Sequence, residues 1–127
     1  MLDIYLTLML SIIRDTEKLD LVLAALANEK RRRIVYTLGL QPASIGQLAE
    51  QQRSSLPAIH RHIKVLEKAK LVRRKKSGRV NFLALDRTGL LSMQDWIRQY
   101  HAYWGTNEET LETYIASIER SSRKSKN

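Results

Sequence analysis

The chain has 127 residues, 43% of them hydrophobic, which suits one domain with its own core and excludes a disordered class. Its 22 Lys and Arg against 13 Asp and Glu leave a formal charge of +9, which favours an acidic partner such as nucleic acid or an anionic membrane surface. There is no cysteine, so a disulfide framework, thiolate metal sites and thiol redox sensing are excluded.

Ile4 to Ile13 is nearly unbroken apolar sequence. At about ten residues it falls short of the ~20 that span a bilayer, and it lacks the cationic start and small-residue cleavage site of an export signal. It reads as a helix or strand packing on a partner, and a cytoplasmic protein is expected. Leu19, Val22, Leu23 and Leu26 then repeat at helical spacing, and Asn28 offers an N-cap to a second helix carrying Ile34, Val35 and Leu38 and stopping at Gly39. Within it, Arg31, Arg32 and Arg33 point in three directions and read as solvated or paired surface. Gln41-Pro42 is a turn, and Ser44-Ile45-Gly46-Gln47 fits a capping box that opens a short helix over roughly 45 to 51.

Ser54 and Ser55 restart the chain, Pro57 sits in a tolerated first turn, and a longer helix runs to about Ala69. A short helix, a tight turn and a basic helix make a helix-turn-helix. On a helical wheel Leu56, Ile59, Ile63, Leu66 and Ala69 share a buried sector, while Pro57, His60, Arg61, Lys64 and Lys68 lie opposite. His62 falls on the flank of the apolar sector, where a packed histidine bonded to backbone is expected. Two apolar-basic runs, 71–76 and 79–85, flank Ser77-Gly78, a dipeptide suited to a hairpin turn with cations at its tip.

Asp86 can cap a further helix in which Leu90, Met93, Ile97, Tyr100 and Trp104 alternate steps of three and four, the spacing of a helix-helix seam, before Gly105 breaks it. Thr106 to Glu109 forms a second capping box, ahead of Leu111, Tyr114, Ile115 and Ile118 on one helical side. The polar, basic segment 121–127 is expected to be disordered.

The charge is concentrated. Between Arg53 and Arg79 stand ten cations and one anion, Glu67, an excess of nine, while the rest of the chain balances 12 cations with 12 anions. A solubilising surface would intersperse the signs; one basic window is the footprint of a phosphate-binding face. His60, Arg61 and Lys64 are the base-edge candidates, and Lys68, near the far end of its helix, is a phosphate contact. No Ser-His-acid spacing, phosphate loop or metal cluster can be assembled, so catalysis is not expected.

Taken in order, "LAALANEKRRRIVYTL", "IGQLAE", "SLPAIHRHIKVLEKAKLV" and "SGRVNFLALDRTGLLSMQDWI" resemble the ArsR/SmtB family of winged-helix transcriptional repressors, across about residues 17 to 104. The resemblance implies a mainly α fold with a small β-hairpin wing, and a homodimer on a double-stranded DNA operator of approximate two-fold symmetry. The helix 55–69 would enter the major groove and the wing 71–85 would follow the backbone. On this basis residues 1–16 are an apolar extension, 17–86 the winged helix-turn-helix, 87–120 C-terminal dimerisation helices and 121–127 a tail.

The expected DNA contacts are Ser44, Gln47, Ser55, Pro57, His60, Arg61, Lys64, Lys68, Lys75, Lys76 and Arg79. The expected dimer interface is Ile4, Leu8, Ile12, Leu90, Met93, Ile97, Tyr100, Trp104, Leu111 and Ile115. The chain departs from the family where thiolate sensors carry Cys-x-Cys, having Ser44 and Gly46, and its C-terminal dimer helix offers only Asp95 and His101, nearly opposite on the helix. No metal or cofactor is expected. A small-molecule effector is left open, its candidate place a cavity between the N-terminal segment and the helix Leu90 to Trp104. His60 stands where the family often has Ser. Lys70 stands where it often has Gly, which asks Lys70 for a left-handed conformation. The other readings are a winged-helix protein-interaction module, using Trp96, Tyr100, Tyr103 and Trp104, or a non-specific nucleic-acid binder.

Overall fold

The computed structural model describes residues 2–100 and 107–125, in two compact units, Met1–Asp95 and Trp96–Asn127. The first helix, α1 (Leu2–Leu26), joins what the sequence suggests are two segments. No Gly or Pro precedes Gly39, and Thr7 and Thr16 donate their hydroxyls to the carbonyls of Asp3 and Ile12, four residues back, so nothing breaks the helix between its apolar start and its packed end. Only that end meets the core: Val22 and Ala25 are buried and Leu26 is partly so, whereas Leu23 is exposed.

α2 (Glu29–Leu40) is capped by Asn28, whose side chain accepts from the Arg31 N–H at 3.1 Å. It continues one residue past the expected stop at Gly39 and ends where the Gln41 N–H meets the Thr37 carbonyl. Ala43–Ser44 then forms a two-residue strand, β1, invisible to periodicity. The capping box is present: Gln47 N–H donates to Ser44 Oγ at 3.1 Å and Ser44 N–H to Gln47 Oε1 at 2.9 Å, opening α3 (Ile45–Gln52).

α3 and the next helix, α4 (Leu56–Lys68), finish alike. Arg53 (φ 50°) and Lys70 (φ 58°) are left-handed. Ser54 N–H reaches Ala49 O and Arg53 N–H reaches Glu50 O; Leu71 N–H reaches Leu66 O and Lys70 N–H reaches Glu67 O. Both sets are Schellman endings, normally given to glycine. The left-handed Lys70 is the conformation the sequence comparison asks for. α4 begins with Ser55 accepting from the Ala58 N–H and buries Ile59, Ile63 and Leu66 completely. Leu56, expected in that buried sector, is 53% exposed.

β2 (Val72–Ser77) and β3 (Val80–Leu85) form the wing, and β1 extends it on the far side of β3 to give a three-stranded antiparallel sheet of order β1-β3-β2. Ser77 pairs with Val80, so the two-residue turn is Gly78-Arg79, one residue later than expected. Gly78 takes φ +60° in the first turn position, the conformation that turn requires there.

Asp86 caps α5 (Arg87–Arg98), accepting from the Thr88 N–H at 3.0 Å, and that bond, with a second from the Thr88 side chain, holds its carboxyl below the usual range. Gly89 lies against the end of α4 and donates to the Lys70 carbonyl at 2.8 Å. Leu90 and Met93, expected in the dimer seam, pack partly on the first unit's own core. In the second unit Trp96 meets Tyr100 edge to face at 5.2 Å, and α6 (Asn107–Ser125) carries Leu111, Tyr114, Ile115 and Ile118 exposed. Residues 121–125, expected in a disordered tail, continue α6 as helix. His101, Tyr103, Trp104, Gly105 and Thr106, singled out by the sequence, lie outside the described residues.

Candidate nucleic-acid interface

The buried stripe of α4 fixes which side chains face outward. Ile59, Ile63, Leu66 and Ala69 lie in a core shared with Val22, Ile34, Leu48, Leu71 and Leu83, so rotation of α4 about its axis would uncover fully buried apolar surface. With that face inward, Pro57, Arg61, Lys64 and Lys68 are exposed and His60 half-buried, all on the outer side as the wheel places them. Ser55, at the N-cap, is exposed beside them.

In the wing, alternation splits the cations between two faces. Arg73 and Lys75 pair across from Ala84 and Phe82, while Arg74 and Lys76 pair across from Leu83 and Asn81. Lys75, Lys76 and Arg79 are exposed around the turn. Arg74 is held back: its guanidinium donates to Glu67 at 2.7 Å in a half-buried ion pair between α4 and β2. Thus the window's single anion neutralises one interior cation and leaves the outer ones unpaired with carboxylates among the described residues. The sequence pattern shows Glu67 but not its partner, and does not single out Arg73, an exposed cation on the same face as Lys75.

Ser44, Gln47 and Ser55 each accept a helix-capping hydrogen bond. That occupies their oxygens as acceptors but leaves hydroxyl and amide hydrogens as donor chemistry. These residues do structural work first, whatever else they touch.

His62 is resolved differently from expectation. Its Nδ1 faces the Arg31 guanidinium at 3.4 Å rather than a backbone group. Burial, and then the charges of Arg31, Lys30 and Arg61, pull its pKa below the ordinary histidine value, favouring a neutral ring that accepts at Nδ1. Arg31 also donates from Nε to Ala25 O at 2.7 Å and from Nη2 to Ala24 O at 3.1 Å, and Arg32 donates to Leu26 O at 2.8 Å. The arginine run therefore closes the carbonyl end of α1, where cations also meet the negative end of the helix dipole. Only Arg33, paired with Glu29 at 2.7 Å, is the surface ion pair expected of the run. Lys30 Nζ reaches Ser54 Oγ, and Gln52 Nε2 donates to Lys30 O, tying α2 to the turn before α4.

Among the described residues no group of three or more His, Cys, Asp or Glu side chains is placed to hold a metal ion. A shallow pocket beside α5 is lined by Leu85, Arg87, Leu90, Leu91 and Gln94, with no aromatic side chain and no part of α1.

A helix-turn-helix domain family matches residues 26–75, from the end of α1 into β2. The HTH-type transcriptional regulator Rv2034 of Mycobacterium tuberculosis is 37% identical over 84 residues, covering 62% of this chain and 78% of that protein. The solved structure of the ArsR family transcriptional regulator RHA00566 superposes with a TM-score of 0.66 at 28% identity, covering 72% of this chain and 95% of that one. The chain belongs to the ArsR family of winged helix-turn-helix transcriptional regulators. A homodimeric winged helix-turn-helix DNA-binding domain from Mycobacterium bovis shares the fold at 17% identity, with a TM-score of 0.56 over 69% of this chain and 87% of that one. Within the ArsR fold, α4 is the second helix of the helix-turn-helix and β2-β3 is the wing.

Proposed function

We propose that this ArsR-family regulator is a homodimer that reads a two-fold symmetric DNA operator and represses by occupying the promoter. The observation that carries the reading is the outer face of α4: exposed Arg61, Lys64 and Lys68 with His60 stand over a fully buried stripe, and the wing adds the exposed Lys75, Lys76 and Arg79. In this reading His60, Arg61 and Lys64 address base edges, and Lys68 and the wing cations address phosphate. Ser44, Gln47, Ser55 and Pro57 are assigned to the same contact, and the protein acts in the cytoplasm.

The dimer is supported by apolar surface that the chain leaves bare. Ile4, Leu8 and Ile12 are exposed on α1 together with Tyr5, Leu6, Met9, Leu10 and Ile13. Stepping at 100° per residue, these cover about 240° of the helix, against a polar strip of Asp3, Thr7, Ser11 and Arg14. A helix apolar over so wide an arc belongs in an interior. Among the described residues no helix is long and apolar enough to cross a membrane, so another protein surface is the fitting cover, and the related Mycobacterium bovis domain is homodimeric. Ile97, Tyr100, Leu111 and Ile115, also exposed, add to the interface.

The test is selection of binding sites from a random duplex pool by the full-length protein at two salt concentrations. An enriched inverted repeat with half-sites about one helical turn apart supports a dimeric reader. Salt-sensitive binding with no enriched motif would make the chain a non-specific nucleic-acid binder and defeat the operator reading.

A further inference from the structure

Resting on the operator reading above, we propose that Leu56 is a specificity-determining residue of α4, reading the C5-methyl group of a thymine in each half-site.

Leu56 is the first residue of α4 and is 53% exposed, although Ile59, one turn on, is fully buried. The elements that cover Ile59 and Ile63 stop short of it. A second apolar residue on the helix, Val65, is 39% exposed but lies on the opposite flank. Leu56 instead lies on the edge of the apolar sector that borders His60, one step of four residues before it, so its exposed part adjoins the outer face at the first turn, with Pro57 beside it. A large aliphatic side chain thus stands exposed, next to Pro57, at the start of a face whose other members, His60, Arg61, Lys64 and Lys68, are polar or cationic.

Its position gives that interruption a chemical meaning. Helical side chains lean toward the N-terminus, and the N-terminal residues of this helix are the ones that reach base edges in the major groove. The major-groove edge offers one apolar group, the thymine methyl, and apolar side chains are its partner. A Leu at this place cannot donate to guanine or accept from adenine, so it selects by burying methyl surface and by leaving the polar edges of other bases unpaired. Along the axis Leu56 lies about 6 Å before His60, so the thymine should fall within about two base steps of the pair addressed by His60 or Arg61.

The experiment uses the full-length protein and the selected operator. Each thymine of a half-site is replaced in turn by deoxyuridine, which removes only the methyl group, and affinity is measured by fluorescence anisotropy. The expected result is one position per half-site where wild-type binding weakens about fourfold, the worth of one buried methyl, while Leu56→Ala binds thymine and uracil alike. Because Leu56 is exposed, Leu56→Ala should keep the wild-type thermal melt, which separates lost reading from lost folding. If no thymine is methyl-sensitive, or if Leu56→Ala keeps the wild-type sensitivity, the assignment is overturned while the operator reading stands. If selection enriches no motif, the operator reading fails and this inference fails with it.

Discussion

Replacing Gly89 by Ala tests whether the junction between α4, the wing and α5 is as tight as its geometry indicates. A methyl there would lie 2.5 Å from the Ala69 carbonyl oxygen, 2.9 Å from the Lys70 carbonyl oxygen and 3.1 Å from Leu71 Cδ2. Two of these are backbone atoms of the segment held by the Schellman ending, so α5 must retreat. Retreat stretches the Gly89 to Lys70 hydrogen bond and loosens Leu90 and Met93 from the core. Overpacking of this kind costs about 1 to 3 kcal/mol and a weakened buried hydrogen bond about 1 kcal/mol, while better helix propensity returns at most about 1 kcal/mol. The net loss is about 2 kcal/mol, or about 8 °C in Tm for a domain of this size. Thermal melts by circular dichroism, at one protein concentration because assembly shifts Tm, measure it against Gly39→Ala. Gly39 is helical with nothing within 4 Å of an added Cβ, so that variant should gain about 0.5 to 1 kcal/mol. A Gly89→Ala protein melting at or above the wild type would show that the junction yields and would refute the reasoning.

Lys70→Gly should stabilise by about 1 kcal/mol in urea titrations by relieving the left-handed conformation; Lys70→Ala, which removes the same charge but keeps the strain, should not, and equal effects would assign the change to charge alone. Because His62 titrates lower in the folded chain than the ordinary value of 6.5, the unfolded chain binds its proton first. Its contribution is complete above about pH 6.5 and is lost as pH falls through the depressed folded value, so the urea midpoint of the wild type should drop more between pH 7.5 and 5.5 than that of His62→Gln, and parallel drops would remove His62 from the account. Arg61→Ala should lose about 1 to 3 kcal/mol on the operator and relax its preference, whereas Lys76→Ala should weaken all duplexes alike and flatten the salt slope by about one unit; equal losses for Arg61→Ala on operator and random DNA would remove it from base reading. Sedimentation at micromolar concentration should give a dimer, and a monomer would contradict the apolar-face assignment.

Most of the fold was legible because each element carries its own stop and start signals. Asn28, the Ser44 to Gln47 box, Ser55 and Asp86 cap helices where their sequence contexts say they should, since capping is a contact between near neighbours in the chain. What was missed is non-local. β1 exists because Ala43 and Ser44 lie alongside Leu83 and Phe82, about forty residues away in sequence, and two residues carry no period. The hairpin turn shifted by one because Ser77-Gly78 and Gly78-Arg79 both place glycine at a turn position, and the choice belongs to register, which Val72 and Leu85 help set as the first cross-strand pair.

The site shows the same division. Which side of α4 faces outward followed from the spacing of Ile59, Ile63 and Leu66, because a stripe of that width has one stable orientation on a core. The partners of individual charges did not follow. Glu67 and Arg74 meet across α4 and β2, and Arg31 meets both the end of α1 and His62; in each case the pairing depends on how elements dock, which periodicity does not contain. Leu56 marks the limit most plainly. A helical wheel places it at the edge of the apolar sector, but a wheel has no length coordinate and cannot say where along the axis the covering elements end. The sequence therefore reads Leu56 as core, and only the docked structure shows that the first turn of α4 passes beyond its cover. A wheel assigns side chains to faces, and a chemical role at the tip of a recognition helix depends on the coordinate it lacks.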